Sequence, residues 1–195
     1  MIWEDKLRDR LNKMPLAAKD GNHIPLCIKV ATRGSCYHRQ HSPEAYKLID
    51  QYLSKHSQGA KYTFEEHESG PEILIVLDLA AKGLGFAKSI IDLLVVLIKS
   101  GHEGMRRGDM VQSSLEIIVR GFDEKGTVKE EKILRFNSDV EIDKKVIEEA
   151  LGKGVKAFLS PQKKISSKKS KNVVELILFS ASAGLVVADA AFPDV

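Results

Sequence analysis

The chain contains little cysteine, and this excludes a disulfide-built scaffold. Two cysteines, Cys27 and Cys36, occur among 195 residues. They favour a reducing compartment, the cytoplasm, although the two thiols could pair. The first 13 residues are charged and amphipathic and lack the apolar stretch of a signal peptide, so no secretion is predicted. A net charge of +3 is too small to indicate a nucleic-acid partner by itself.

The sequence also lacks an apolar run that is long and free of charge. The longest candidate for a membrane-spanning helix, residues 73–98, carries four charged side chains, among them Asp78 and Lys88. Each such charge costs about 2.5–3.5 kcal/mol at the centre of a membrane-spanning helix. The composition, 43% hydrophobic and 29% charged, is typical of a globular protein. We therefore expect a soluble protein without a membrane span.

What the sequence does contain is a clear alternation of helical and strand patterns. Helices are expected at 2–11, 43–56, 86–98 and 141–151, and strands at 24–31, 61–66, 73–79, 114–122, 127–136 and 173–179. An Asp-Glu-Lys-Gly turn between strands 114–122 and 127–136 predicts a β-hairpin. The order favours an α+β fold, a two-layer sandwich in which a mostly antiparallel sheet packs on one long apolar helix and two shorter helices.

Composition changes divide the chain into three predicted parts. Residues 1–22 form an amphipathic helix and a linker, 23–153 an α+β core domain, and 154–195 a lysine-rich loop followed by an apolar strand.

The predicted helix 86–98 is apolar almost all round, with a narrow polar stripe that contains Lys88 and Asp92. Such a helix needs cover on most sides, and one sheet face covers only part of it. We therefore expect an interface with a protein partner or a second copy of the chain. Its residues are Phe86, Ile90, Leu94 and Leu97. Complete burial of the helix within its own chain would remove this argument.

A polar loop contains the pattern Cys-x-His-x-x-His, formed by Cys36, His38 and His41. One thiolate and two imidazoles suit zinc, and a fourth ligand from Cys27 or His23 would complete a tetrahedral site. The loop has no Cys-x-x-Cys pair, so its spacing also fits a polar loop without a metal. A nucleophilic thiol in this loop has no visible group to orient its base. Metal binding, or a metal-dependent activity, is therefore a third hypothesis for the function.

The glycines of Gly-Leu-Gly-Phe-Ala-Lys-Ser follow an apolar run, where phosphate-binding loops lie. The two positions at which such a loop needs glycine hold Lys82 and Ala87. No nucleotide or other cofactor is predicted. Because no catalytic set of residues is visible either, we expect a protein without enzymatic activity.

The order of the elements and their local motifs resemble a known family. A strand with Ile-Lys-Val leads to a helix that begins Ser-Pro-Glu-Ala-Tyr, and a Gly-Pro-Glu strand leads to the long apolar helix, the hairpin and a closing helix. Residues 24–152 thereby resemble the effector-associated constant component modules of prokaryotic conflict and defence systems. The resemblance implies a non-catalytic adaptor that recruits an effector such as a peptidase. The first functional hypothesis is therefore a protein-interaction module of a prokaryotic defence or signalling system.

A lysine-rich segment supports an alternative function, nucleic-acid binding. Residues 160–172 contain no acid and five lysines, namely Lys163, Lys164, Lys168, Lys169 and Lys171. Lysines this dense form a basic patch, although a solvated loop has the same composition.

This alternative predicts binding that weakens steeply as salt is added, because each phosphate contact releases counterions. Neutralising Lys163, Lys164, Lys168 and Lys169 is expected to abolish the binding. Fluorescence anisotropy with labelled DNA and RNA at several salt concentrations measures both effects. A protein that binds neither nucleic acid at low ionic strength would contradict the alternative.

Overall fold

In the part of the chain that the structure describes, helices pack around one antiparallel sheet. The structure, a computed structural model, describes residues 2–14, 23–33, 36–78, 86–109, 114–123, 125–137 and 141–159. Within them the helices are α1 (Trp3–Asn12), α2 (Pro43–His56), α3 (Lys88–Arg106) and α4 (Lys144–Leu159). The strands are β1 (His23–Thr32), β2 (Thr63–His67), β3 (Gly70–Asp78), β4 (Leu115–Phe122) and β5 (Val128–Phe136). The predicted α+β fold is confirmed.

The sheet has the strand order β2-β3-β1-β4-β5, so β1 lies at its centre. Strand β1 pairs antiparallel with β3, where Lys29 faces Glu72, and with β4, where Val30 faces Ile117. The predicted hairpin of β4 and β5 is present, with one register shift after Ile117. A central strand has neighbours on both edges, which suits the apolar sequence of β1.

Helices lie on both faces of the sheet. On the first face, alternate residues of β1, β3 and β4 form a core with α2, α3 and α4. On the second face, Leu7 and Leu11 of α1 pack against Cys27 and Leu74. Burying each leucine stabilises the fold by about 1.5–3 kcal/mol. The two-layer description from the sequence therefore leaves out α1, which covers part of the second face.

Helix α3 is longer than predicted: the sequence pattern ends it at residue 98, whereas the structure continues it through Gly101 and Gly104 to Arg106. A Cβ atom at Gly101 would lie 2.9 Å from Leu115 Cδ1, and one at Gly104 would lie 2.9 Å from Ala45 Cβ. The glycines thus allow α3 to approach β4 and α2 closely.

The apolar side chains of α3 are buried within the chain itself. The exposed fractions are 5% for Ile90, 0% for Leu94 and Leu97, and 7% for Phe86, which lies just before the helix. These four residues form core, so the argument that they make an interface no longer holds. The protein-interaction hypothesis stays a prediction without this premise. The predicted polar stripe is confirmed by Lys88, which is exposed.

Helix α4, which the sequence pattern ends at residue 151, runs on through Gly152 and Gly154 to Leu159. Its buried face is formed by Ile147, Leu151, Val155 and Phe158. Val146 lies outside this face, since 47% of this residue is exposed.

Within the described residues, no helix combines the length and apolarity needed to cross a bilayer. The lysines of the alternative function (Lys163, Lys164, Lys168, Lys169 and Lys171) and the expected strand 173–179 lie outside the described residues.

Two glycines in helix interiors give a matched test of close packing. At Gly104 an added Cβ meets Ala45 and the Asp109 carboxylate, which accepts hydrogen bonds from the first amides of α2. At Gly152 nothing lies within 4 Å. Gly104→Ala is expected to destabilise the fold by about 1–3 kcal/mol, whereas Gly152→Ala is expected to stabilise it by about 0.5–1 kcal/mol. Urea denaturation measures both, and equal effects would contradict the assigned packing.

Candidate functional site

The loop between β1 and α2 brings together the three predicted metal ligands. One ligand atom from each of Cys36, His38 and His41 lies within 4.8 Å of the other two. The two imidazole ring centroids are 4.4 Å apart. Cys36 and His41 are exposed, and His38 is half-buried. An ion from solvent can therefore reach all three.

Tyr37 anchors this loop to the core. Its side chain is 0% exposed. Its hydroxyl donates a hydrogen bond of 2.6 Å to the carbonyl oxygen of Leu97 in α3, and its ring packs edge-on against Tyr46. Burial raises the pKa of Tyr37 well above its ordinary value, so the hydroxyl remains a donor at neutral pH.

Arg39 is a second anchor, two residues further on. Its guanidinium donates two hydrogen bonds, of 2.6 and 3.0 Å, to Asp50 of α2 and one of 3.1 Å to Glu66 of β2. The carbonyl oxygen of His38 accepts bonds from the amides of His41 and Ser42. The loop backbone is thus fixed at several points, and Tyr37 and Arg39 alternate along it with the metal-ligand candidates.

The arrangement is close to the geometry of a zinc site. Bond lengths of 2.3 Å to sulfur and 2.0–2.1 Å to nitrogen place tetrahedral ligand atoms about 3.3–3.6 Å apart. The ligand atoms of the loop lie within 4.8 Å of one another, and rotation of the exposed Cys36 and His41 side chains can bring them to the shorter distances of a zinc site. The loop therefore offers three ligands on a held backbone.

The fourth ligand expected from the sequence does not join this group. Neither Cys27 nor His23 belongs to it within the described part of the chain. Cys27 is buried in β1, and both cysteines are free thiols. Burial raises the pKa of Cys27 well above its ordinary value, as does the neighbouring charge of Glu72. An ion held tetrahedrally by these three ligands would therefore keep one coordination position for another molecule.

The second face of the sheet carries a buried charge cluster that sequence reasoning missed. Its centre is Glu72 of β3, whose side chain is 3% exposed. The carboxylate lies 2.8 Å from Arg10 of α1, 3.0 Å from Arg120 of β4 and 3.5 Å from Lys29 of β1. One carboxylate is therefore shared by cations from three elements. The signal in the sequence was Lys29, a charge inside an apolar strand.

Glu65, His67 and Glu72 also place their ligand atoms within 4.8 Å of one another. The guanidinium of Arg10 lies 2.5 Å from Glu65, 2.6 Å from His67 Nε2 and 2.8 Å from Glu72. Arg10 thus takes the position of a cation here, and the group acts as an ion-pair network that holds α1.

Burial and charge act in opposite directions on Glu72. Burial raises its pKa, but the hydrogen bond from Arg10 and the positive charges of Arg10 and Lys29 outweigh burial and hold the pKa below 4.5. Glu72 therefore remains ionised at neutral pH, as its three cations require.

Glu72→Gln is expected to destabilise the fold by about 3–5 kcal/mol at neutral pH, because it leaves the buried cations without a counter-ion. In the wild type, the unfolded chain binds a proton at Glu72 at a higher pH than the folded chain does. Stability from this group is therefore present above pH 4.5 and is lost as pH falls through the lower folded-state pKa.

Urea denaturation from neutral to acidic pH tests both statements, with Glu131→Gln, an exposed acid of β5, as the control. We expect the difference between wild type and Glu72→Gln to shrink at acidic pH. A difference that stays constant with pH would show that Glu72 acts through packing alone.

Comparisons with protein-family models, with curated proteins and with solved structures find no match for this chain. The resemblance to effector-associated constant component modules therefore stays a prediction, and the function has to be argued from the geometry of the site.

Proposed function

We propose that the protein binds a transition-metal ion of the zinc class through Cys36, His38 and His41. The observation that carries the proposal is the convergence of the three ligand atoms within 4.8 Å. Two residues between them hold the loop: Tyr37 is buried in the core, and Arg39 pairs with Asp50 of α2 at the surface.

The ligand types support zinc over harder cations. A thiolate and imidazoles favour Zn²⁺ and related ions, whereas Mg²⁺ and Ca²⁺ prefer oxygen ligands. Sites that only stabilise a fold usually have four protein ligands, and sites that act on another molecule usually have three and an open position. The proposed function is therefore binding of an ion that retains a position for an exchangeable ligand.

The loop also links metal binding to the stability of the fold. Arg39 joins it to α2 and β2, and Tyr37 joins it to α3. An ion that binds the folded state alone raises the free energy of unfolding in proportion to the logarithm of its concentration. Metal binding should therefore raise the melting temperature.

We expect one Zn²⁺ per chain and, with Co²⁺, a thiolate-to-cobalt absorption band. Cys36→Ser is expected to abolish the band and to weaken Zn²⁺ binding by about 100-fold or more, since one of three ligands is lost. Isothermal titration calorimetry and absorption spectroscopy measure these effects on protein purified without a polyhistidine tag.

Two matched variants control for the chemistry of the ligands. Cys27→Ser removes the other thiol, and His56→Gln removes an exposed histidine at the end of α2. Both should keep the band and the affinity. Substoichiometric zinc, or a Cys36→Ser variant with wild-type affinity, would contradict the proposal.

A further inference from the structure

The hairpin of β2 and β3 places two carboxylates and an imidazole on one face of the sheet. Glu65 and Glu72 are directly opposite each other in the register of the two strands. His67 is two residues after Glu65, so its side chain lies on the same face. Two like charges in opposite positions of an antiparallel pair repel each other. This arrangement therefore requires a cation close to the two carboxylates.

The three side chains have the spacing of metal ligands. His67 Nε2 lies 3.1 Å from Glu65 Oε2 and 3.6 Å from Glu72 Oε2, and the three atoms all lie within 4.8 Å of one another. Oxygen and nitrogen ligands that bind zinc are separated by about 2.9–3.6 Å. The side chains of Glu65 and His67 are 27% and 37% exposed, so an ion reaches the group from solvent. Little rearrangement would therefore bring the three atoms to an ion.

Arg10 of α1 fills the position of that cation. Its guanidinium lies 2.5 Å from Glu65, 2.6 Å from His67 Nε2 and 2.8 Å from Glu72. The fit of the arginine is incomplete, because its Nε atom is buried and has no hydrogen-bond partner among the described residues. A buried donor without a partner destabilises the arrangement. A metal ion has no such donor to satisfy, so it can compete with Arg10 for these three side chains.

The charges around the group favour a positive ion wherever Arg10 is displaced. Lys29 and Arg120 contact Oε1 of Glu72, which leaves Oε2 for Arg10 or for an ion. Without Arg10, these two cations of the cluster face three acids, namely Glu65, Glu72 and Glu130. The negative balance attracts a cation.

We propose that Glu65, His67 and Glu72 form a binding site for a divalent transition-metal ion, and that the ion and Arg10 compete for this site. Two carboxylates and an imidazole suit Mn²⁺ and Zn²⁺. The site contains none of the ligands in the loop at Cys36, so this inference goes beyond the proposed function and does not depend on it. Because the ion takes the partners of Arg10, its binding loosens the attachment of α1 to the sheet.

The test uses Mn²⁺, which prefers carboxylate oxygen to thiolate and so distinguishes this site from the loop. Electron paramagnetic resonance of the free ion measures binding, and wild type and Cys36→Ser are expected to have equal affinity. Arg10→Met removes the competing cation and is expected to tighten binding by about tenfold or more, the effect of losing a hydrogen bond between charged groups. Arg8→Met is the matched control: it removes a guanidinium of the same helix that contacts Gly126 and Phe122, and it should leave the affinity unchanged.

Two further variants test the ligands themselves. His67→Gln removes one of the three ligands and is expected to weaken Mn²⁺ binding by about tenfold or more. His56→Gln, at an exposed histidine of α2, should have no effect. Absent binding in wild type, or binding that His67→Gln leaves unaltered, would overturn the site. Binding that is lost in Cys36→Ser would assign the ion to the loop and would also overturn it.

Hydrogen exchange of the α1 amides tests the competition. We expect these amides to exchange faster when Mn²⁺ is bound to wild type, because the helix has lost the partners of Arg10. In Arg10→Met, where those partners are already absent, Mn²⁺ should change the exchange little. Mn²⁺ that binds wild type without altering the exchange of α1, and that binds Arg10→Met no more tightly, would overturn the competition.

Discussion

Strand β1 is buried on both faces, and this constraint determines how the rest of the protein is arranged. Leu26, Ile28 and Val30 point to the core under α2, α3 and α4. Cys27 points to the second face, where α1 covers it. A strand in this position cannot leave a polar side chain unpaired, because an isolated buried charge costs several kcal/mol. Lys29 therefore requires a partner.

That partner, Glu72, connects the stability of the sheet to the position of α1. Lys29 and Glu72 face each other in the register of β1 and β3. Arg120 reaches the same carboxylate from β4, and Arg10 reaches it from α1. The apolar contacts of Leu7 and Leu11 place α1 on the sheet, and the ion pairs of Arg10 fix its orientation. Hydrophobic burial and paired charge thus act on the same short helix.

Local patterns in the sequence predicted most elements of the fold, because they depend on residues close together in the chain. Alternation predicted the hairpin of β4 and β5, and the period of 3.6 residues predicted α2 with its bounds unchanged. The predicted C-terminal ends of α3 and α4 were wrong because polar residues and glycines are common both in connectors and inside helices that pack closely. Gly104 and Gly154 are small where another element comes close, at Ala45 and Ile133, and neither ends a helix.

The candidate site, like the fold, was predictable from the sequence only in part. The spacing of Cys36, His38 and His41 was visible, since all three lie in one loop. The anchors were not, because Tyr37 meets Leu97 and Arg39 meets Glu66 only after distant segments have packed. The buried set around Glu72 joins four separate elements, and a single sequence contains no signal for such pairings beyond the unusual charge of Lys29.

The separation of anchors from metal-ligand candidates in the loop has a physical consequence. Tyr37 and Arg39 obtain their contacts from the folded core and surface of the protein, so the loop backbone is ordered before any ion arrives. The entropy of ordering that backbone is then a cost of folding, and an ion that binds afterwards has only side-chain rotations left to restrict. Under the proposed function, preorganisation of this kind would let three ligands hold an ion while one coordination position stays open.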